Sequence, residues 1–221
     1  MLCVNDDQVD VVLPCLDEAG ALPGVLAALP ERYRAIVVDN GSTDGSAGIA
    51  AGLGAKVVHE PRRGYGAAVH TGLEAATADV VCFADADGSL DLAELPKLVD
   101  GLADAELAVG RRVPTGPGVW PWHARAGNAL ISSLLRHKGL PVRDIAPLRA
   151  VRRQALLDLD VTDRAFGYPL ELLIKASRAG WRVAEFDVSY GERAKGTKSK
   201  VSGSLRGTLR ATRDFGRVLS R

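Results

Sequence analysis

Between residues 9 and 110 the chain alternates short apolar runs with stretches rich in alanine and leucine. The runs "VDVVLP", "RAIVVD", "AKVVHE", "DVVCFAD" and "AELAVG" have strand length and predict five strands. Helices are predicted between them over 18–29, 43–53, 65–77 and 91–102. Such alternation reads as βαβ units, because parallel strands need long crossovers and helical crossovers cover the sheet. The predicted fold is therefore α/β, a Rossmann-like, mostly parallel sheet with helices on both faces. Farther along, the pattern predicts helix 124–138, strand 147–151, helices 152–158 and 169–179, strand 181–190, a loop over 191–201 and a terminal helix from about 203. These extend the same unit, so residues 1–221 are expected to form one domain, long enough to bury a full core.

Ligands of such sheets collect outside the carboxyl ends of the strands. The segments following the five strands are "PCLDE", "DNGSTDGS", "EPRRGYGAA", "DADGS" and "GRRVPTG". Their coincidence at one edge argues against five unrelated turns. The fourth is the most pointed, since it sets Asp85 and Asp87 at i, i+2 after a buried run. If the strand continues through them, the two side chains face one side. At roughly 6 Å and an effective dielectric near 20, two carboxylates repel by about 3 kcal/mol. A hard divalent cation such as Mg²⁺ or Mn²⁺ relieves this and bridges carboxylates to phosphate oxygens; a solvated turn is the plainer alternative.

Other readings of these residues can be tested by spacing. An EF-hand loop fails, because Leu90 and Pro96 stand where it needs glycine and glutamate. "FADADGS" is close to the start of a haloacid-dehalogenase-type phosphatase, with Asp85 as nucleophile and Asp87 as acid/base. That motif belongs near an N-terminus, however, and three βα units precede it here. Asp39 ends a strand and is placed to accept hydrogen bonds from a base or ribose, whereas Ser42, Thr43 and Asp44 read first as helix caps. Gly64, Gly66 and Gly72 allow close approach of a ligand or a helix. Arg193, Lys195, Lys198 and Lys200 crowd a glycine- and hydroxyl-rich loop suited to phosphate, although Thr197 breaks the P-loop pattern. Trp120 and Trp122, in the loop "PTGPGVWPWH", are expected either in the core or along an acceptor cleft.

The net charge of +1 gives no global case for nucleic acid. Cys3, Cys15 and Cys82 lack zinc-ligand spacing, and their odd number does not suggest a disulfide framework. No run of about eighteen apolar residues occurs. A cytoplasmic protein is expected, able at most to lie peripherally on the inner face of a membrane.

Taken in order, "VVLPCLDE", "VVDNGSTDGS", "RRGYGAAVHTGLEAATADVVCFADADGS", "GRR", "RAGN", "DIAPLRAVRR", "GYPLELLIKA" and "RAKGTKSK" resemble family 2 glycosyltransferases of GT-A fold, in particular the polyprenyl-phosphate (dolichyl-phosphate) mannose or glucose synthases. The resemblance covers nearly the whole chain. It implies that Pro14, Asp17 and Glu18 belong to a nucleotide-binding segment, with Asp39 on base or ribose. Asp85 and Asp87 match the DxD motif that holds Mg²⁺ or Mn²⁺ on the donor diphosphate, and Gly64 and Gly66 fall in the donor region. Arg112 and Arg125 match arginines near an acceptor phosphate, and Arg193, Ser199 and Lys200 match a loop that closes on the phosphates. Asp17 stands where the group has asparagine, and Ser89 where mannose synthases often have glutamine. The implied reaction is inverting transfer of a hexose from a nucleoside-diphosphate sugar of UDP-glucose or GDP-mannose type to a polyprenyl phosphate.

A polyprenyl-phosphate acceptor needs positioning more than deprotonation. A soluble hydroxyl acceptor needs a general base, for which Glu171 and Asp144 are the candidates. The terminal "LRGTLRATRDFGRVLSR" sets Arg206, Arg210, Arg213 and Arg217 on one helical face beside Leu205, Leu209 and Leu219. Such a helix either docks on the domain or lies on an anionic membrane surface.

Overall fold

In the computed structural model, described for residues 8–137, 139–140, 142–145, 147–194 and 213–218, the strands are β1 (Val9–Cys15), β2 (Tyr33–Asp39), β3 (Lys56–His59), β4 (Val80–Phe83), β5 (Leu107–Pro114), β6 (Arg149–Arg152) and β7 (Val183–Tyr190). The helices are α1 (Leu22–Ala27), α2 (Ser46–Gly52), α3 (Tyr65–Ala75), α4 (Leu95–Asp100), α5 (Trp122–His137), α6 (Arg153–Asp158) and α7 (Tyr168–Arg178). The strands and helices expected up to residue 190 are present with shifted ends, whereas most of the loop expected over 191–201 and the start of the terminal helix lie outside the described residues. The helix expected over 91–102 is broken into 3-10 turns at 92–94 and 101–103 around α4.

The seven strands form one sheet in the order β3-β2-β1-β4-β6-β5-β7. β1 pairs in parallel with β2 and β4, β2 with β3, and β5 with β7, while β6 runs antiparallel to both β4 and β5. Six strands therefore share one direction, and their carboxyl ends lie along one edge. β1 is buried on both faces, as a central parallel strand must be. Val9, Val11, Leu13 and Cys15 enter one core cluster and Val12 the other. Residues of α3 and α7 pack in the cluster of Val12, and those of α1 and α4 in the opposite one. The helices thus cover both faces.

Two features differ from the sequence reading. β5 runs on to Pro114, so Arg111 and Arg112 lie within a strand, opposite Asp187 and Val188 of β7, and not in a loop after it. β4 stops at Phe83, so Asp85 and Asp87 lie in the loop and turn beyond it. In the terminal region, residues 213–218 are helical. Val218 is buried there and Phe215 packs on the same core cluster, so this part docks on the domain. Arg206 and Arg210 lie outside the described residues. Among those described, no helix is long and apolar enough to cross a membrane.

Candidate active site at the carboxyl edge

The loops after β1 and β2 are locked to each other. Asp17, at φ +53°, accepts from Thr43 N at 2.8 Å through Oδ1 and donates its own N–H to Ser42 Oγ at 3.0 Å. Glu18 N donates to Ser46 Oγ and Ala19 N to Asp44 Oδ2, each at 2.9 Å. The expected capping role holds for Asp44, whose Oδ1 accepts from Ser46 N at the first residue of α2, although Gly45 holds the cap position; Ser42 Oγ and Asp44 Oδ2 also accept from the N–H groups of the 17–19 loop, and Thr43 donates to Asp17. Pro14 lies inside β1, opposite Val38.

Asp39 is 7% exposed at the end of β2. Its Oδ1 accepts from Ser42 N at 3.0 Å, and its Oδ2 stands 3.2 Å from His59 Nδ1. Burial pushes this carboxyl up, but the hydrogen bonds from Ser42 and the neighbouring His59 prevail and hold it below its ordinary value. Asn40, which sequence reasoning passed over, anchors the next loop. Its amide donates to the carbonyls of Glu60 and Arg62 and accepts from Gly64 N.

Gly64 and Gly66 are required by protein packing. A Cβ on Gly64 would come within 2.2 Å of Arg164 O, and one on Gly66 within 2.8 Å of Asp163 O and Tyr168 Cβ. Gly66 N and Ala67 N donate to Ala165 O and Arg164 O. On the side where a Cβ would point, both glycines therefore pack on the chain itself, Gly64 on Arg164 and Gly66 on Asp163, Ala165 and Tyr168.

Asp85 and Asp87 face a cluster of arginines. Burial and the charge of Asp87 push the Asp85 carboxyl up, while Arg193, Arg112 and Arg149 oppose this. Asp87 is nearly buried: Oδ1 accepts from Ser89 N at 2.9 Å and Ser89 Oγ at 2.6 Å, and Oδ2 pairs with Arg193 at 2.6 Å. Gly88, at φ +78°, makes the turn between them. Ser89 is thus the local support of Asp87. Ser199 and Lys200, together with Lys195 and Lys198, lie outside the described residues.

Arg112 forms a fork–fork pair with Asp144, Nε to Oδ2 at 2.8 Å and Nη2 to Oδ1 at 2.7 Å, and its backbone N–H also donates to Oδ2. Its guanidinium lies 4.2 Å from the centroid of the Trp120 ring and 5.4 Å from that of Tyr190. Trp120 is thus a packed tryptophan, whereas Trp122 is 79% exposed. Arg125 is exposed on α5 and forms no ion pair among the described residues.

Both expected general bases are engaged by protein partners. Asp144 is held by Arg112. Glu171, 6% exposed, accepts from Thr162 N and Oγ1 through Oε1 and from Asp163 N through Oε2. Sequence reasoning also missed Arg149, 2% exposed on β6 directly opposite Phe83. Its Nη2 donates to Ile145 O, and its Nε has no hydrogen-bond partner among the described residues. Its burial could have been read from the strand period, since "RAV" alternates it with Ala150 and pairs it with Val151 on one face.

Residues 10–161 match the family described as glycosyl transferase family 2. The chain belongs to this family. As a family 2 glycosyltransferase it is 59% identical, over 97% of its length and 99% of the relative's, to an uncharacterized glycosyltransferase of Mycobacterium tuberculosis. It is 34% identical, over 87% of its length and 86% of the relative's, to a dolichyl-phosphate hexose transferase of Haloferax volcanii. The fold is similar to that of glucosyl-3-phosphoglycerate synthase from Mycobacterium tuberculosis, solved in complex with Mn²⁺, UDP and glucosyl-3-phosphoglycerate. The TM-score is 0.75 at 25% identity, over 96% of this chain and 78% of that one. The fold is GT-A, and the family decides against the phosphatase reading of Asp85.

Proposed function

We propose that this glycosyltransferase moves a hexose, with inversion, from a nucleoside-diphosphate sugar to a polyprenyl phosphate at the cytoplasmic surface of a membrane. The observation that carries the proposal is the Asp85–Asp87 pair, two carboxylates in mutual repulsion at the carboxyl edge, ringed by Arg112, Arg149 and Arg193.

This pair suits Mg²⁺ or Mn²⁺, which take oxygen ligands and are commonly shared between one or two carboxylates and phosphates. Among the described residues no group of three His, Cys, Asp or Glu forms a complete cage, in keeping with a cation that arrives with a diphosphate. Held by Asp85 and Asp87, the cation would supply charge neutralisation for the leaving diphosphate. Arg193, already on Asp87, supplies a second positive charge at the same place, and Ser199 and Lys200, which follow it in the sequence, are assigned to the phosphates with it. Pro14, Asp17, Glu18 and Asp39 hold the nucleotide.

The acceptor follows from the missing base. With Asp144 and Glu171 both committed to protein partners, a hydroxyl acceptor lacks the groups expected to deprotonate it. A phosphate oxygen is already anionic and needs only to be held. Arg112 does this: Asp144 and Trp120 fix its plane, and its Nη1 makes no hydrogen bond among the described residues. Arg125 adds a further charge nearer the surface.

The test is a screen of UDP-, GDP- and dTDP-sugars with Mn²⁺ for binding and slow hydrolysis, with EDTA as control, followed by transfer to a short polyprenyl phosphate or to phosphoglyceric acid. One donor binding only with metal, and transfer to the lipid phosphate, is the expected result. Transfer to phosphoglyceric acid alone overturns the acceptor, and metal-independent turnover overturns the role of Asp85 and Asp87.

A further inference from the structure

Helix α5 carries an apolar row that the proposed reaction does not use. Its sixteen residues, "WHARAGNALISSLLRH", contain no aspartate or glutamate. One side is built into the protein. Ser132 and Leu135 are fully buried, and the Asn128 side chain accepts from Ile145 N at 3.1 Å and donates to Arg143 O at 3.2 Å. The other side is apolar and open to solvent. Trp122 is 79% exposed, Leu130 65% and Leu134 42%, with Ala126 and Ala129 exposed among them. Trp122, Ala126, Leu130 and Leu134 follow one another at four-residue steps, a single inclined row along the helix.

The rim of this row is basic. Arg125 leads it, Arg136 and His137 close it, all exposed, and Arg143 beside it, paired with Glu185 at 3.8 Å, keeps a side chain 66% exposed. We infer that this face of α5 is a membrane-binding surface that inserts its apolar row among the headgroups of an anionic bilayer. An exposed apolar row with a cationic rim, no acid on the helix itself and a tryptophan at one end has the composition of an interfacial helix. The charge selects the occupant: a second copy would bring the same arginines together, whereas an anionic surface attracts each of them.

The position fits the role. α5 follows the loop whose Trp120 lies on the Arg112 guanidinium, so a bilayer on this face brings its headgroup plane to that side of the site. The purpose rests on the lipid-phosphate reading, but the surface stands on exposure and charge. It also moves the membrane contact away from the terminal helix, whose 213–218 part is docked on the core.

The experiment is flotation of the full chain with vesicles of phosphatidylcholine, with or without phosphatidylglycerol, at low and high salt. Wild type is expected to float with the anionic vesicles and to be released by salt. Leu130→Glu should lower the bound fraction roughly tenfold or more, as expected for losing one inserted leucine. Nucleotide-sugar binding, measured on the same samples, should be unchanged in Leu130→Glu, which separates failure of the surface from failure of the fold or the donor site. Equal flotation of wild type and Leu130→Glu overturns the inference. So does loss of flotation only in an Arg206→Gln/Arg210→Gln variant, or a wild-type dimer that Leu130→Glu makes monomeric.

Discussion

Arg193 Nη1 stands 2.6 Å from Asp87 Oδ2, an ion pair between a loop at the end of β7 and the turn that follows β4. Two backbone hydrogen bonds, Gly191 N to Ser89 O at 2.8 Å and Ala194 N to Asp87 O at 3.0 Å, lay one segment along the other. The cation that meets Asp87 in this structure is thus a side chain delivered from more than a hundred residues away, and the loop that bears it leads directly into the lysine-rich stretch.

Replacing Asp87 with Ala should abolish metal-dependent donor turnover, by roughly 100-fold or more if the carboxylate supports transition-state charge. The measurement is nucleotide release with Mn²⁺ and with EDTA. Full activity in the variant removes Asp87 from the reaction.

The Arg112–Asp144 pair should dominate local stability. Asp144 is 1% exposed, so Asp144→Ala leaves a guanidinium in a half-buried place without its carboxylate, an expected loss of about 3–5 kcal/mol. Arg112→Lys keeps the charge but not the fork or the stacking on Trp120, and should weaken acceptor use more than donor binding. Urea midpoints and separate KM values for donor and acceptor check both statements.

Gly66→Ala should destabilise the fold by about 1–3 kcal/mol, because the methyl would meet backbone at Asp163 and Ala165. Gly64→Ala should cost more, since φ +152° adds backbone strain to a 2.2 Å approach to Arg164 O. Thermal unfolding without any donor is the decisive measurement, for a pure ligand role leaves the unfolding temperature unmoved.

Glu171 makes stability depend on acid pH. Burial pushes its carboxyl up, but hydrogen bonds from Asp163 N and from Thr162 N and Oγ1 prevail, so the folded value lies below the usual glutamate value. A depressed folded pKa contributes stability that is complete above the unfolded value of about 4.3 and is lost as pH falls through the folded one. Glu171→Gln should therefore cost about 1–3 kcal/mol at pH 7, where one donor loses its acceptor, and the gap to wild type should narrow toward pH 3. Denaturant titrations at the two pH values measure it.

What the sequence alone determined is local. Apolar runs of strand length placed β1 to β4 within a few residues; burial on both faces demands such a stretch in the central β1, while β3 at the edge keeps only Val57 and Val58 partly buried. The acids after β1, β2 and β4 could be read as one candidate site because parallel strands bring their carboxyl ends to one edge. Only the tertiary structure decided what depends on distant partners. β6 enters antiparallel between β4 and β5 and sets Arg149 opposite Phe83. Asp144 is taken by Arg112 across 32 residues, and Glu171 by the 162–163 loop. Gly64 and Gly66 meet a loop about one hundred residues downstream, and Trp120 closes on Arg112 while Trp122 stays in solvent. The physical reason is common to them: periodicity reports which side of an element is buried, whereas the group that fills the space opposite is chosen by the packing of the whole chain.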